Sequence, residues 1–258
     1  MIHMIDIHSH ILFGIDDGAQ TVEDSLAMAR QAVEQGITTV FATPHHKNGK
    51  YTNEKNRILS KVEELNTAIA QEGIPLQVLP GQECRIFGEL IEDYKKGEIL
   101  TLNDGGKYVL IEFSSSHVPM YASQLLYNIQ FEGIIPIIVH PERNRHFLER
   151  PELLYEFAEK GVLLQLTASS VTGAFGKKIQ KFSIQMLESN LVHFIASDAH
   201  NTTTRDNRMK EAYEMIAKSI DASYVEYLKE NARLLVRSEY IPTRPIKPIK
   251  RKRFFGIF

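Results

Sequence analysis

Seven short apolar runs, each followed by a stretch with helical spacing, leave this chain few ways to fold. The runs cover residues 4–7, 37–42, 76–79, 108–113, 134–139, 162–166 and 192–196. They are rich in Ile, Val and Leu and barely alternate with polar residues. That is the pattern of strands covered on both faces, as in a parallel sheet. Between them lie amphipathic segments. Val22, Leu26, Ala29 and Val33 share one helical face, with Thr21 as cap, Asp24 placed to reach back to it, and Gly36 ending the run. Ile58, Val62, Leu65 and Ile69 mark a second helix over residues 53–72. Further helices are predicted at 89–96, 120–131, 152–160, 177–189, 207–218 and 224–235. Repeated βα units in 258 residues predict one α/β domain, either a barrel or a doubly wound sheet.

In a parallel barrel the C-terminal ends of all strands form one face, which is where such folds build their sites. Here that face is heavily loaded. His8 and His10 leave the first strand with one residue between them, so both point to one side. Asp17 sits in the loop behind them. His45 follows the second strand in Thr43-Pro44-His45-His46, and Glu83 the third in Pro80-Gly81-Gln82-Glu83. Glu112 lies at the end of the fourth, His140 follows the fifth, and Asp198 and His200 follow the seventh.

Taken singly, each has an ordinary explanation. A His-x-His triplet arises by chance, Asp17 can make a turn with Gly18, and His45 can be a loop histidine. Glu112 is harder to dismiss, because a carboxylate inside an apolar strand is costly unless paired or bound to a cation. Nine such groups on one face point to a polynuclear metal site. Mixed nitrogen and oxygen donors suit Mn, Fe or Zn better than Mg or Ca. Two or three close cations equip a site for phosphate-ester hydrolysis: they activate a water and clamp the attacking and leaving oxygens. Arg143 and Arg205, near the ligands in sequence, are candidates to grip phosphate oxygens, with surface solvation as the alternative for Arg205.

Other phosphate chemistries fit poorly. A cysteine-based phosphatase needs an arginine six residues after its cysteine, and Cys84 has Leu90 there. Gly173-Ala174-Phe175-Gly176-Lys177-Lys178 lacks the spacer and the Ser or Thr of a phosphate loop, and reads as a loop entering a helix. The single cysteine suits a reducing, cytoplasmic setting. No apolar run is long enough to span a bilayer, and no signal peptide is evident. The net charge of −2 hides a split. Residues 242–258 carry six Lys or Arg and no acid, which leaves −8 for the rest. An acidic body argues against nucleic acid as a partner. The basic, aromatic segment 242–258 reads as a flexible tail beyond a single domain of residues 1–241, either frayed or docking on an anionic membrane or an acidic partner.

Taken together, His8-Ser9-His10, Thr43-Pro44-His45-His46, Pro80-Gly81-Gln82-Glu83, His140-Pro141-Glu142-Arg143-Asn144 and Ser197-Asp198-Ala199-His200 resemble the PHP (polymerase and histidinol phosphatase) superfamily. More narrowly, the chain is similar to the manganese-dependent protein-tyrosine phosphatases of Gram-positive capsule and exopolysaccharide clusters. The resemblance implies a distorted seven-stranded (β/α)7 barrel of the PHP type, with three Mn2+ ions at the strand ends. It implies that His8, His10, Glu83 and Asp198 hold one ion, that Glu83, Glu112 and His140 hold a second, and that Asp17, His45 and His200 hold a third. Arg143 would bind the phosphate, and Arg205 follows by a looser correspondence. The implied activity is hydrolysis of phosphotyrosine on the tail of a bacterial tyrosine kinase by a metal-activated hydroxide. The alternatives are another PHP phosphoesterase, such as a histidinol phosphatase, and a metal-binding regulator without catalysis.

Overall fold

Thr21 closes the reciprocal cap expected of it. Its hydroxyl accepts from the Asp24 N–H, and the Asp24 carboxylate accepts from the Thr21 N–H. The apolar stripes likewise bury themselves where the spacing puts them, with Ile58, Val62, Leu65 and Ile69 inward on the second helix. The computed structural model describes residues 4–249.

In chain order the elements are β1 (Met4–Ser9), α1 (Val22–Glu34), β2 (Ile37–Ala42), β3 (His45–His46), α2 (Lys55–Gln71), β4 (Gln77–Pro80), β5 (Glu83–Arg85), α3 (Leu90–Lys95), β6 (Tyr108–Glu112), α4 (Ala122–Phe131) and β7 (Ile135–Val139). After these come α5 (Arg145–Glu149), α6 (Glu152–Glu159), β8 (Leu163–Thr167), α7 (Ala168–Thr172), α8 (Lys177–Glu188), β9 (Phe194–Ala196), α9 (Met209–Ser219) and α10 (Ala222–Val236). Every pairing of named strands is parallel. The protein is an α/β fold of parallel sheets with helices packed around them.

The strand count differs from the seven expected. Among the described residues, nine strands form two sheets, ordered β1-β2-β4 and β3-β5-β6-β7-β8-β9. The second and third expected strands each resume beyond their expected ends, as β3 and β5. Pro44 has no N–H for a ladder, and it separates β2 from β3. Gly81 separates β4 from β5 at a tight crossing, where a Cβ would meet Leu102 at 2.7 Å and Thr43 at 2.9 Å. The Gly81 N–H reaches the Ala42 carbonyl and the Glu83 N–H reaches the Pro44 carbonyl. Both strands therefore bend at one level, and their second halves carry His45 and Glu83.

Strand alternation sorts the core into two layers. Ile7, Phe41, Leu110, Ile137, Val139 and Phe194 pack with one another and with Ala232 and Leu235 of α10. The opposite phase, including Val40, Val109, Ile111, Ile138, Leu164 and Ile195, packs with the helices. α10 sits near the strand beginnings, since Asn231 donates to the His193 carbonyl ahead of β9. The other ends stay clear for the site.

The segment expected to be a flexible tail is described as far as residue 249, and that part lies against the body. Arg244 sits over the rings of Tyr224 and Tyr227 at 4.6 and 5.1 Å. Lys247 N–H donates to the Ser189 carbonyl, and Ile246 and Ile249 pack on the core. The basic cluster Lys250 to Arg253 and the aromatics after it lie outside the described residues. Among the described residues, no helix is long and apolar enough to cross a membrane.

Candidate metal centre

β1 delivers His8 and His10 to the sheet edge, and the backbone after β9 locks onto it. Asp198 N–H donates to the His8 carbonyl and His10 N–H to the Ala199 carbonyl, both at 2.9 Å. Buried Asp6 fixes the same junction by accepting from the N–H groups of Ser197 and His8. The β1 histidines thus meet Asp198 and His200 from the far end of the chain.

All nine predicted ligands are brought together. Four groups have donor atoms mutually within 4.8 Å: His10, Asp17, His45 and His200; His8, His10 and Asp198; His8, Glu83 and His140; His45, Glu83 and Glu112. Glu83 is fully buried at the centre and belongs to two of them. The grouping is more interleaved than the resemblance implied, for His140 and Glu112 fall in different groups with Glu83.

Hydrogen bonds outside the cluster fix which nitrogen each imidazole presents. Gln165 Oε1 accepts from His8 Nδ1 at 2.9 Å, and Asp16 Oδ2 accepts from His10 Nδ1 at 2.7 Å. The Asp198 carbonyl accepts from His200 Nδ1 at 2.9 Å. Each Nε2 is left turned inward, the arrangement a metal-binding histidine needs. His8 Nε2 and His10 Nε2 lie only 3.3 Å apart and need a proton or a cation between them. Asp16 holds His10 well above its usual range against the burial that would lower it, so a metal would displace that proton.

Whether the donors suit a cation is answered by atoms with nothing else to bind. His45 Nδ1, Glu83 Oε2 and His200 Nε2 are buried and have no hydrogen-bond partner. The first two approach to 2.7 Å without the direction of a hydrogen bond. Such groups are costly without a charge to satisfy them. The titration pattern agrees. Burial, then the Arg143 charge, lowers His140 to about 3. Burial, then the His10 charge, lowers His200 to about 4. Both are therefore neutral donors at neutral pH. Burial, then the charge of Glu83, pushes Glu112 up to about 7. Burial alone would raise Glu83, but facing His45 and His8 hold it well below its usual range. Five nitrogen and four oxygen ligands fit borderline divalent metals.

The two arginines border this cluster. Arg143 NH2 lies 2.7 Å and Arg205 NH2 3.0 Å from the same oxygen, Asp198 Oδ2. Both line a cavity of 260 Å³, together with His45, Glu112, His140 and Asp198 on the polar side and Phe113, Val139 and Pro141 on the apolar side. Glu142, buried behind Arg143, accepts from Thr167 N–H and from the Ser170 hydroxyl, which anchors the turn Pro141–Arg143.

Two groups at the site escaped the sequence reading. Gly18 does turn on an aspartate, but its N–H donates to Asp16 rather than Asp17, which leaves Asp17 facing His45 and His200 at 3.4 and 3.5 Å. Gln165 interrupts the apolar run Leu163-Leu164-Gln165-Leu166, the same signal that singled out Glu112. The loop residues Ile11 and Leu12 belong to the buried core.

The comparisons with known proteins agree on one family. The profile of the family described as capsular polysaccharide synthesis, CpsB/CapC, matches residues 4–237. The tyrosine-protein phosphatase YwqE of Bacillus subtilis (strain 168) is 50% identical over 255 residues, covering 99% of this chain and 100% of that protein. CapC of Staphylococcus aureus is 41% identical over 260 residues, covering 98% and 100%. A structure from a study of YwqE from Bacillus subtilis and CpsB from Streptococcus pneumoniae, described there as metal-dependent tyrosine phosphatases, superposes with a TM-score of 0.94 at 50% identity, covering 96% of this chain and 100% of that one. A phosphotriesterase homology protein from Escherichia coli shares the fold alone, with a TM-score of 0.59 at 10% identity over 91% of this chain and 99% of that one. Matched over nearly its whole length, the chain belongs to the CpsB/CapC family of capsular polysaccharide synthesis proteins.

Proposed function

We propose that this protein is a metal-dependent protein-tyrosine phosphatase that removes phosphate from tyrosines of a bacterial tyrosine kinase controlling capsular or exopolysaccharide synthesis. The observation that carries this reading is the convergence of nine donors, three with partnerless buried atoms, beside a cavity that two arginines line. The names of the relatives support it. Three Mn2+ ions are assigned to the cluster. His8, His10, Glu83 and Asp198 would hold one, Glu83, Glu112 and His140 a second, and Asp17, His45 and His200 a third. When bound, the cations supply the Lewis acidity that makes water nucleophilic at neutral pH.

The chain's own residues do the rest. Arg143 and Arg205 offer N–H donors for phosphate oxygens, and a hydrogen bond to a charged group is worth about 1.5–3 kcal/mol. Asp198 holds both guanidinium groups through one oxygen while its other oxygen faces His8 and His10 at 3.5 and 3.3 Å. It thereby ties the phosphate grip to the metal cluster. Phe113, Val139 and Pro141 add apolar surface to the lining of the cavity.

The architecture is read as one distorted seven-staved barrel. β2 with β3, and β4 with β5, each count as a single stave, and a bridge from Ser9 to Ala199 supports closure of the first stave on the last. Residues 1–241 form the single domain and 242–258 an appended segment, whose basic end contacts the kinase or a membrane surface. The setting is cytoplasmic. The test is hydrolysis of a phosphotyrosine peptide against phosphoserine and phosphothreonine peptides of the same sequence and histidinol phosphate, with manganese and after chelation. The expected result is a metal-dependent preference for phosphotyrosine. Equal rates on the three peptides, or faster turnover of histidinol phosphate, would overturn the reading.

A further inference from the structure

The loop between α7 and α8, set aside above as a failed phosphate loop, borders the site through its aromatic residue. Two glycines with left-handed backbone frame it, Gly173 at φ +89° and Gly176 at φ +92°. Ala174 N–H donates to the Ser169 carbonyl and Gly176 N–H to the Gly173 carbonyl, both at 2.9 Å. Gln180 braces the loop from α8, donating to the Val171 carbonyl at 3.1 Å. This frame holds Phe175, partly buried and apart from both core clusters, with its ring centroid 5.5 Å from the Arg143 guanidinium carbon.

We propose that Phe175 is a positioning residue that holds Arg143 through the face of its ring and so readies Arg143 for phosphate. A guanidinium has a flat face and an edge of five N–H donors. Stacked on a ring it uses the face alone, so the edge keeps its donors. One side of that edge is taken by Asp198 at 2.7 Å, and Arg205 competes for the same oxygen. Without the ring, the guanidinium would keep its contact with Asp198 and lose the ring it lies against. An aliphatic side chain would fill the space but offers no quadrupole for the cation. The inference rests on the role given to Arg143 in the phosphatase reading.

The experiment uses the manganese-loaded full chain and measures inorganic phosphate affinity, kinetics on a phosphotyrosine peptide, and metal content. Phe175→Ala is expected to weaken phosphate binding about three- to tenfold with metal content unchanged. Phe175→Tyr is expected to keep wild-type affinity, and Phe175→Leu to be as weak as alanine. Adding Phe175→Ala to Arg143→Ala is expected to change nothing further. Wild-type affinity in Phe175→Leu, or an equal loss from Phe175→Ala with and without Arg143, would overturn the inference. Wild-type affinity in Phe175→Ala beside a weakened Arg143→Ala would overturn this inference alone. Wild-type affinity in Arg143→Ala would overturn both it and the role of Arg143. If the alanine variant fails to fold, the Leu and Tyr variants decide.

Discussion

Asp16 is not expected to touch a metal, yet its replacement should cost metal affinity and folding together. The carboxylate is buried and meets three donors. Oδ2 accepts from His10 Nδ1 at 2.7 Å and from His45 N–H at 3.1 Å, and Oδ1 accepts from Gly18 N–H at 2.9 Å. Asp16→Asn keeps the shape but has one acceptor oxygen for the two positions. If that oxygen serves His10 and His45, the new amide N–H₂ meets the Gly18 N–H, and a buried donor is orphaned at about 1–3 kcal/mol. If it serves Gly18, His10 loses its orientation. Either way the charge that supports His10 is gone, and losing such a partner costs about 10–100-fold in metal affinity. Calorimetric titration of manganese into the metal-free chain, with urea unfolding of the same sample, reads both quantities. Asp17→Asn is the control. Asp17 is 42% exposed and faces His45, His200 and Arg205 instead of the backbone, so Asp17→Asn should lose metal affinity with a smaller loss of metal-free stability than Asp16→Asn. If Asp16→Asn binds manganese within twofold of wild type, the orienting role is wrong. If the two variants behave alike in both assays, the division between orienting and ligating carboxylates fails.

Four further outcomes are expected. Glu83→Ala should abolish hydrolysis and strip metal while the far-ultraviolet circular dichroism stays native, since Glu83 lies in two of the donor groups; retained metal and turnover would refute its central place. Arg143→Ala should slow phosphotyrosine hydrolysis about ten- to a hundredfold, the equivalent of one lost charge-assisted hydrogen bond, with metal content intact by elemental analysis. Gly18→Ala would place a Cβ 2.0 Å from the His10 carbonyl oxygen and 2.5 Å from His10 Cβ; the forced shift should cost about 1–3 kcal/mol in urea unfolding and weaken manganese binding. His193 is buried away from the cluster and accepts from Leu164 N–H, and burial lowers it to about 4. Unfolded, it takes a proton near its ordinary 6.5, so its contribution is full above that pH and is lost as pH falls toward 4, about 3 kcal/mol in all. His193→Asn keeps an acceptor but cannot titrate, so metal-free wild type should lose more stability than the variant between pH 7 and 4; parallel curves would refute this.

Much of the site was legible because its residues break the pattern that builds the fold. A buried strand needs apolar side chains, so Glu112 at the end of such a run, or histidines at the exit of one, require a reason outside folding. Gln165 carries the same signal two strands beyond Glu112. Asp16 does not, because aspartate before glycine is ordinary turn chemistry and its second oxygen meets His10 only through the fold. The expected ends of the second and third strands agree with Pro44 and Gly81, which interrupt the ladders there. That each strand resumes beyond the break depends on neighbours far along the chain, since β3 pairs with β5 and β5 with β6. α5 and α7, at five residues each, are too short to show a helical period. Nearness in sequence is no guide to nearness to the site. Ile11 and Leu12 follow the ligands directly yet pack in the core, whereas Phe175 reaches Arg143 from a different loop.

Backbone conformation shows what the letters could not carry. His140 and Asp198 leave their strands with φ of +37° and +52°, in the left-handed region. For residues with a side chain this costs about 1–2 kcal/mol each, and His and Asp are among the types that tolerate it best. Each is held from both sides. His140 N–H donates to the Gln165 carbonyl at 2.8 Å while its Nε2 meets Glu83 Oε1 at 2.7 Å. Asp198 N–H donates to the His8 carbonyl while its carboxylate meets Arg143 and Arg205. The backbone bonds alone would suit a glycine, which adopts this conformation without strain. A glycine would bring no donor to the cluster, so the strain persists where a side-chain donor joins it at a strand exit. Gln165 serves both ends of this arrangement, with its carbonyl on His140 and its side chain on His8. The strand that contributes none of the nine candidate donors therefore sets the geometry of two of them.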